Sequence, residues 1–344
     1  MTLRRYILKR LIWSIFVLWL VATLNFVLIG MDPVAQYGTP WAAVDPAILE
    51  PLIKAYGGHG SMFIRYIFHL RNMFTYGLVF PYFGWSTYDR NFVAFGLARR
   101  LPLTLCLMGT ALAITVTIGI LIGMLAASKR GTRTDRVITF LSLLMWTVPI
   151  MIAEFLVIIL FSYLFIVHGI KIFPVTGLTS ASPYLHNAGF ALYLDIAWHL
   201  CLPVACLVVV GLGPWVLYTK NMMTDALTQD YIFYTARAKG LSQKIILFKH
   251  AFKSILPQIS TMVATATPAI IAGSMITEAL FGLDGIGNWY IKVVYADAQI
   301  IRFTDPAVTQ AVFFIYAHIV IALNFIADLL YGVFDPRIRV GTRR

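Results

Sequence analysis

Charge is scarce in this sequence. Only 12% of its 344 residues are Asp, Glu, Lys or Arg, against 60% hydrophobic. A soluble domain of that length needs far more charge to cover its surface, which argues against a large soluble enzyme. Cysteine is scarcer still. Cys106, Cys201 and Cys206 all stand in apolar runs, so they make neither a disulfide framework nor a zinc pattern and read as small packing residues. Clustered chemistry is also missing. His168, His199 and His318 are scattered without metal-ligand spacing, and a membrane-embedded protease or lipid transferase would need a gathered His/Asp/Glu or Ser/His set. No residue is therefore assigned as catalytic and no metal site is expected. The sequence has no Gly-x-x-x-x-Gly-Lys-Ser/Thr phosphate loop, no low-complexity tract and no internal repeat of solenoid length.

What it does have is apolar length. Runs at about 11–30, 101–127, 137–167, 196–218, 256–277 and 307–333 each suffice to cross a bilayer as a helix. The second, third and sixth are long for an average bilayer, so tilt or extension is expected there. Pro203 and Pro214 interrupt the fourth, which a membrane helix tolerates when neighbours satisfy the freed carbonyls. Pro149 and Pro268 are candidate kinks in the third and fifth. The first run follows Arg4, Arg5, Lys9 and Arg10 in the manner of a signal peptide. It is longer than a signal's apolar region and no small-x-small site closes it, so it reads as a retained span. The predicted fold class is all-α integral membrane, with six transmembrane helices and a small extracytoplasmic domain between the first and second.

The net charge of +12 suits either nucleic acid or a membrane surface, and in a membrane protein its placement matters more than its size. With the N-terminus inside, 18 of the 27 Lys and Arg residues fall in inside segments. The positive-inside rule then places both termini in the cytoplasm of a multi-pass protein of the cell membrane, with the bilayer and no nucleic acid as partner. The chain divides into a cytoplasmic N-terminus and first span (1–30), an extracytoplasmic domain (31–100) and a five-helix core (101–344) carrying a cytoplasmic loop at 219–255. Segments near 168–195 and 278–306 read as external loops with short re-entrant or surface pieces. Gly119 and Gly123 form a Gly-x-x-x-Gly packing face in the second span.

The long cytoplasmic loop holds the most informative stretch, Asp230-Tyr231-Ile232-Phe233-Tyr234-Thr235-Ala236-Arg237-Ala238-Lys239-Gly240-Leu241-Ser242. It predicts a short helix closed by Gly240, which most cheaply takes the left-handed conformation. Ser242 then caps the next helix, leading into the fifth span. Small residues beside long bases suit docking in a groove on another protein. An ordinary basic juxtamembrane loop is the alternative.

Together with Lys249-His250-Ala251 and Pro257, Thr235 to Leu241 resembles the EAA loop of ABC importer permeases, and in particular the dipeptide/oligopeptide/nickel branch. The family's Glu-Ala-Ala positions are here Tyr234, Thr235 and Ala236, a departure seen often in that branch. The resemblance runs through nearly the whole chain: Phe83-Gly84-Trp85-Ser86, Arg100-Leu101-Pro102-Leu103-Thr104, Glu278-Ala279-Leu280-Phe281, Gly285-Ile286-Gly287 and Asp335-Pro336-Arg337-Ile338-Arg339 stand in the family's order. It implies a type I ABC importer permease fold. It also implies a second permease subunit, most often a paralogue, two cytoplasmic ATPase subunits holding ATP and Mg, and an extracytoplasmic solute-binding protein. This chain would bind no cofactor itself. Tyr234, Thr235, Ala236, Arg237, Ala238, Lys239, Gly240 and Leu241 would form the ATPase-coupling helix, and the loop at 128–136 would be a weaker second contact or a plain positive-inside anchor.

Polar residues inside spans are the remaining candidates. Asn324, Asp328 and Tyr331 share one helix face, as a pathway stripe or as helix-helix hydrogen bonding. Glu154 is unusual for the family, with pathway lining and pairing to His318 or to a partner both open. Glu278 and Asp284 stand where the fifth span ends, as an external gate or as turn caps. The function expected is translocation of oligopeptides or similar solutes by alternating access, with oligosaccharides as a second substrate class. An ion-coupled secondary transporter is the alternative of another kind, and it lacks the matching inverted halves such folds often show.

Overall fold

In hydrocarbon every backbone polar group needs an internal partner, and a long apolar run meets that need as a helix. The computed structural model bears this out. It describes residues 3–30, 54, 57–58, 60–74, 83–86, 88–170, 172–180, 189–229, 232, 239–296 and 305–334. Among them, six helices are long and apolar enough to cross a membrane. The helices are α1 (Leu3–Asn25), continued by a π-helical turn (Phe26–Gly30), α2 (Met62–Phe74), α3 (Val93–Ser128), α4 (Arg133–Thr147), α5 (Ile150–His168) and α6 (Phe190–Thr228). A three-residue α7 (Gln243–Ile245) and a second π turn (Ile246–Ala251) lead into α8 (Phe252–Leu280), followed by α9 (Ile286–Ala296) and α10 (Pro306–Phe334). Among the described residues one hairpin, β1 (Trp85–Ser86) with β2 (Asn91–Phe92), pairs antiparallel with Trp85 opposite Phe92.

Three expectations about the spans need correction. The run at 137–167 is two helices: Val148 and Pro149 both take extended backbone between α4 and α5. Proline lacks the N–H that would continue α4 and pushes the residue before it out of the helical region, so Pro149 breaks where a kink was expected. The fourth run, interrupted by Pro203 and Pro214, is an unbroken helix of 39 residues starting at Phe190 inside the expected loop. It and the 38-residue Gln243–Leu280 are the longest of the six. Finally, Pro102 lies inside α3, which begins at Val93.

The chain forms two compact units, the division falling within α1, α3 and α10 and between α8 and α9. One comprises Met1–Ile7, Cys106–Leu283 and Leu323–Arg344. Its centre is α6, which packs against α4, α5 and α8. Small residues permit the contacts: a methyl added at Gly119 would lie 2.6 Å from Trp215 Cβ, and one at Gly123 2.7 Å from Thr219 Cβ. The expected Gly-x-x-x-Gly face of α3 thus packs on α6. The other unit comprises Leu8–Leu105 and Asp284–Ala322. In it Asn25 donates to the Gln310 carbonyl, His69 Nε2 bonds the Ala22 carbonyl at 3.1 Å, and Phe83 meets Phe314 edge-on.

Candidate functional site

Within the first unit a hydrophobic cluster gathers the end of α3 (Met124, Ala127), α6 (Trp215, Met223, Ala226), the second π turn (Ile246, Leu247, Ala251) and the start of α8 (Ile255, Ile259). Ile232 is fully buried in it and Leu241 packs against it. Ile232 stands just before the proposed coupling helix and Leu241 is its last residue. Tyr234, Thr235, Ala236, Arg237 and Ala238 lie outside the described residues. Lys239 and Gly240 form a turn, with Gly240 at φ +68°, the left-handed conformation expected of it. Ser242 precedes α7 with extended backbone and makes no side-chain cap, so the predicted capping bond is absent; the Ile246 N–H reaches the Ser242 backbone carbonyl instead.

The 128–136 loop is more than an uncommitted tether. Asp135, buried, accepts from the Gly131 N–H at 2.9 Å and the Thr139 hydroxyl at 3.3 Å, and pairs with Lys220 of α6. Lys220 Nζ also donates to Thr139 Oγ1 at 2.7 Å. The hydrogen bond from Lys220 holds the Asp135 carboxyl below its ordinary value, against the opposing effect of burial. Sequence reading missed this pair because 85 residues of chain separate its members. The signal available was a lone Lys in an apolar run.

A cavity of about 830 Å³ opens between α4, α5, α6 and α8. Trp146 and Ile150, on either side of the break at Pro149, form one wall, and Ala266, Ala269 and Gly273 of α8 form another. The lining is mostly apolar, with Thr265 and Tyr218 among its few polar groups, the usual composition of a small-molecule pocket. None of the four polar residues expected along the pathway lines it. Glu154 is fully buried, and Thr277 Oγ1 lies in hydrogen-bond contact with its Oε1. Glu278 is fully buried at the end of α8. Its carbonyl accepts the Leu283 N–H in a turn closed by Gly282 at φ +63°. Asn324 and Asp328 are half-buried on α10. His318 Nδ1 bonds the Phe314 carbonyl at 2.8 Å.

In the second unit Asp284 is an ion-pair centre. Arg100 Nε donates to Asp284 at 2.9 Å, its two terminal nitrogens hold Asp89 at 2.7 and 3.2 Å, and Arg99 reaches Asp284 at 3.0 Å. Thr104 Oγ1 accepts the Ile286 N–H at 2.9 Å. The segment entering α9 is thus fastened to α3 at two points one helical turn apart.

These features define a multi-pass membrane protein. The chain belongs to the family of binding-protein-dependent transport system inner membrane components, whose model matches residues 119–340. It is a permease subunit of an ABC importer. The oligopeptide transport system permease protein AppB of Bacillus subtilis (strain 168) is 31% identical over 339 residues, covering 97% of this chain and 98% of that one. The dipeptide transport system permease protein DppB of Lactococcus lactis subsp. cremoris (strain MG1363) is 28% identical, covering 98% and 99%. Among solved structures, an amino acid ABC transporter with histidines matches 71% of this chain at 15% identity and a TM-score of 0.40, too loose to carry an argument.

Proposed function

We propose that this chain is one of two permease subunits carrying di- or oligopeptides across the membrane. The observation that carries the substrate class is similarity over almost the full length to a relative named for oligopeptide transport. The second permease is a paralogue, and both termini face the cytoplasm. A binding protein delivers the solute outside, and two ATPase subunits hold ATP and Mg inside.

The mechanism is alternating access between two packings close in free energy. Residues 234–241 are the coupling helix that receives the ATPase motion. Ile232 and Leu241 pass it to the cluster that joins α3, α6 and α8, and so to the walls of the cavity. The cavity's apolar lining suits peptide side chains, and the near absence of fixed charge suits a permease that leaves selection to the binding protein.

The test is purification of the tagged chain from its native membrane in mild detergent, followed by reconstitution with the proteins that accompany it. Two P-loop ATPases, a second six-span protein and ATP-dependent uptake of di- to pentapeptides are expected. ATP-dependent uptake of oligosaccharides alone would overturn the substrate class. Recovery of the chain alone, active on an ion gradient, would overturn the ATP-driven mechanism.

A further inference from the structure

Glu154 is a fully buried acid on α5, and among the described residues its one hydrogen-bond contact is Thr277 Oγ1 on α8. Its second oxygen, Oε2, is buried with no hydrogen-bond partner. Among the described residues no Lys, Arg or His stands in ion-pair contact with it. An ionised carboxylate in that place would have lost its water and gained no counter-charge, a strongly unfavourable arrangement.

The hydroxyl of Thr277 supplies an independent argument. It also lies 2.9 Å from the Gly273 carbonyl oxygen, which can only accept. A hydroxyl has one proton. If Thr277 gives that proton to Gly273, the contact with Glu154 is a hydrogen bond only when Glu154 brings the other proton.

We propose that Glu154 works as a neutral carboxylic acid, donating to Thr277, which donates in turn to Gly273, so that a two-bond relay clasps α5 to α8. Ile150 on α5, and Gly273 and Ile276 on α8, line the cavity. The relay therefore ties two of its walls and sets the distance between them. Glu154 is a positioning residue for transport. It is neither a fixed charge on the pathway nor a cation site, and it needs no pairing with His318. Its consequence for transport rests on the permease reading above; the clasp itself does not.

The test uses the whole transporter in proteoliposomes, with Glu154→Gln, Glu154→Leu, Thr277→Ser and Thr277→Val. Solute uptake per ATP hydrolysed and the melting temperature of the detergent-solubilised complex are both measured. Glu154→Gln and Thr277→Ser keep a donor at each position and should stay within about twofold of wild type in uptake per ATP. Glu154→Leu and Thr277→Val should each lower it about tenfold, and the double variant should be no worse than either single one, the mark of a shared interaction. Loss of uptake in Glu154→Gln equal to that in Glu154→Leu, or failure of the Gln variant to assemble, would overturn the proposal and show that the carboxylate charge is used. Full coupling in Glu154→Leu would overturn it as well. Should the wild-type complex carry no peptide, the substrate reading fails, while the order of melting temperatures still decides the clasp.

Discussion

The Arg100 guanidinium carbon stands 4.5 Å from the centroid of the Trp289 ring. With Asp89 and Asp284 at its edges and the indole on its face, Arg100 has its donors and its flat side engaged at once. Planar, bidentate recognition of this kind is what Arg can do and Lys cannot. The fit leaves no slack at the helix surface, since a methyl added at Gly96 would fall 2.8 Å from the Trp289 ring.

Arg100→Ala should therefore lower the stability of the purified protein by about 2–3 kcal/mol, because Asp89 loses its bidentate partner while Asp284, among the described residues, keeps only Arg99. Arg100→Lys should recover only part of the loss. Gly96→Ala should cost about 1–3 kcal/mol by overpacking. Thermal melts in one detergent check all three; a Lys variant as stable as wild type would show that charge alone suffices.

The Asp135–Lys220 pair gives a pH dependence with a definite sign. The folded Asp135 carboxyl titrates below its ordinary value of 3.8, the hydrogen bond from Lys220 being the largest cause. Its contribution is fully present above that ordinary value and is lost as the pH falls through the folded one. Asp135→Asn should remove this acid-side loss. At neutral pH it should cost about 1–3 kcal/mol, since Lys220 and the Gly131 N–H lose an ionised acceptor. Melts of wild type and variant from pH 7 to 3 provide the comparison.

His69 also loses stability toward acid, but for a different reason. Burial lowers its pKa from 6.5 to about 4, although its bond to the Ala22 carbonyl pulls upward. The folded protein holds this ring neutral, so stability falls as the pH drops below 6.5 and levels off beneath 4. The full span is worth about 3 kcal/mol. His69→Gln, which keeps a donor and cannot ionise, should flatten the melting curve between those two values. An unchanged slope would place the titrating group elsewhere.

Six spans were legible because a bilayer demands about 20 apolar residues whatever else they do. Helix ends were not, because they depend on neighbours. α6 runs unbroken past Pro203 and Pro214, yet the chain breaks at Pro149. Sequence cannot tell these apart, since the difference lies in what surrounds the freed carbonyls. The Gly119/Gly123 face was legible because close helix approach admits few other residues. The sequence marked Glu154 as unusual but not Thr277 as its partner, 123 residues away. Asp284 read equally well as a gate or a turn cap; the ion pairs with Arg99 and Arg100 appear only once the fold brings α3 to the start of α9.

The coupling helix can be tested by separating insertion from energy transfer. Thr235, Ala236 and Ala238 are small and stand beside Arg237 and Lys239, so a docking groove would meet backbone closely there. Ala236→Trp with Ala238→Trp should leave membrane insertion and folding intact, because the buried Ile232 and the half-buried Leu241 that packs on the same cluster are untouched. The double variant should lose ATP-dependent uptake while the ATPases either dissociate or hydrolyse ATP without transport. Ile232→Asp makes the complementary change, burying a charge in the cluster while leaving the docking face alone. It should lower the melting temperature of the isolated chain, which the Trp pair should not. If the Trp pair still co-purifies with the ATPases and transports normally, residues 234–241 do not carry the coupling.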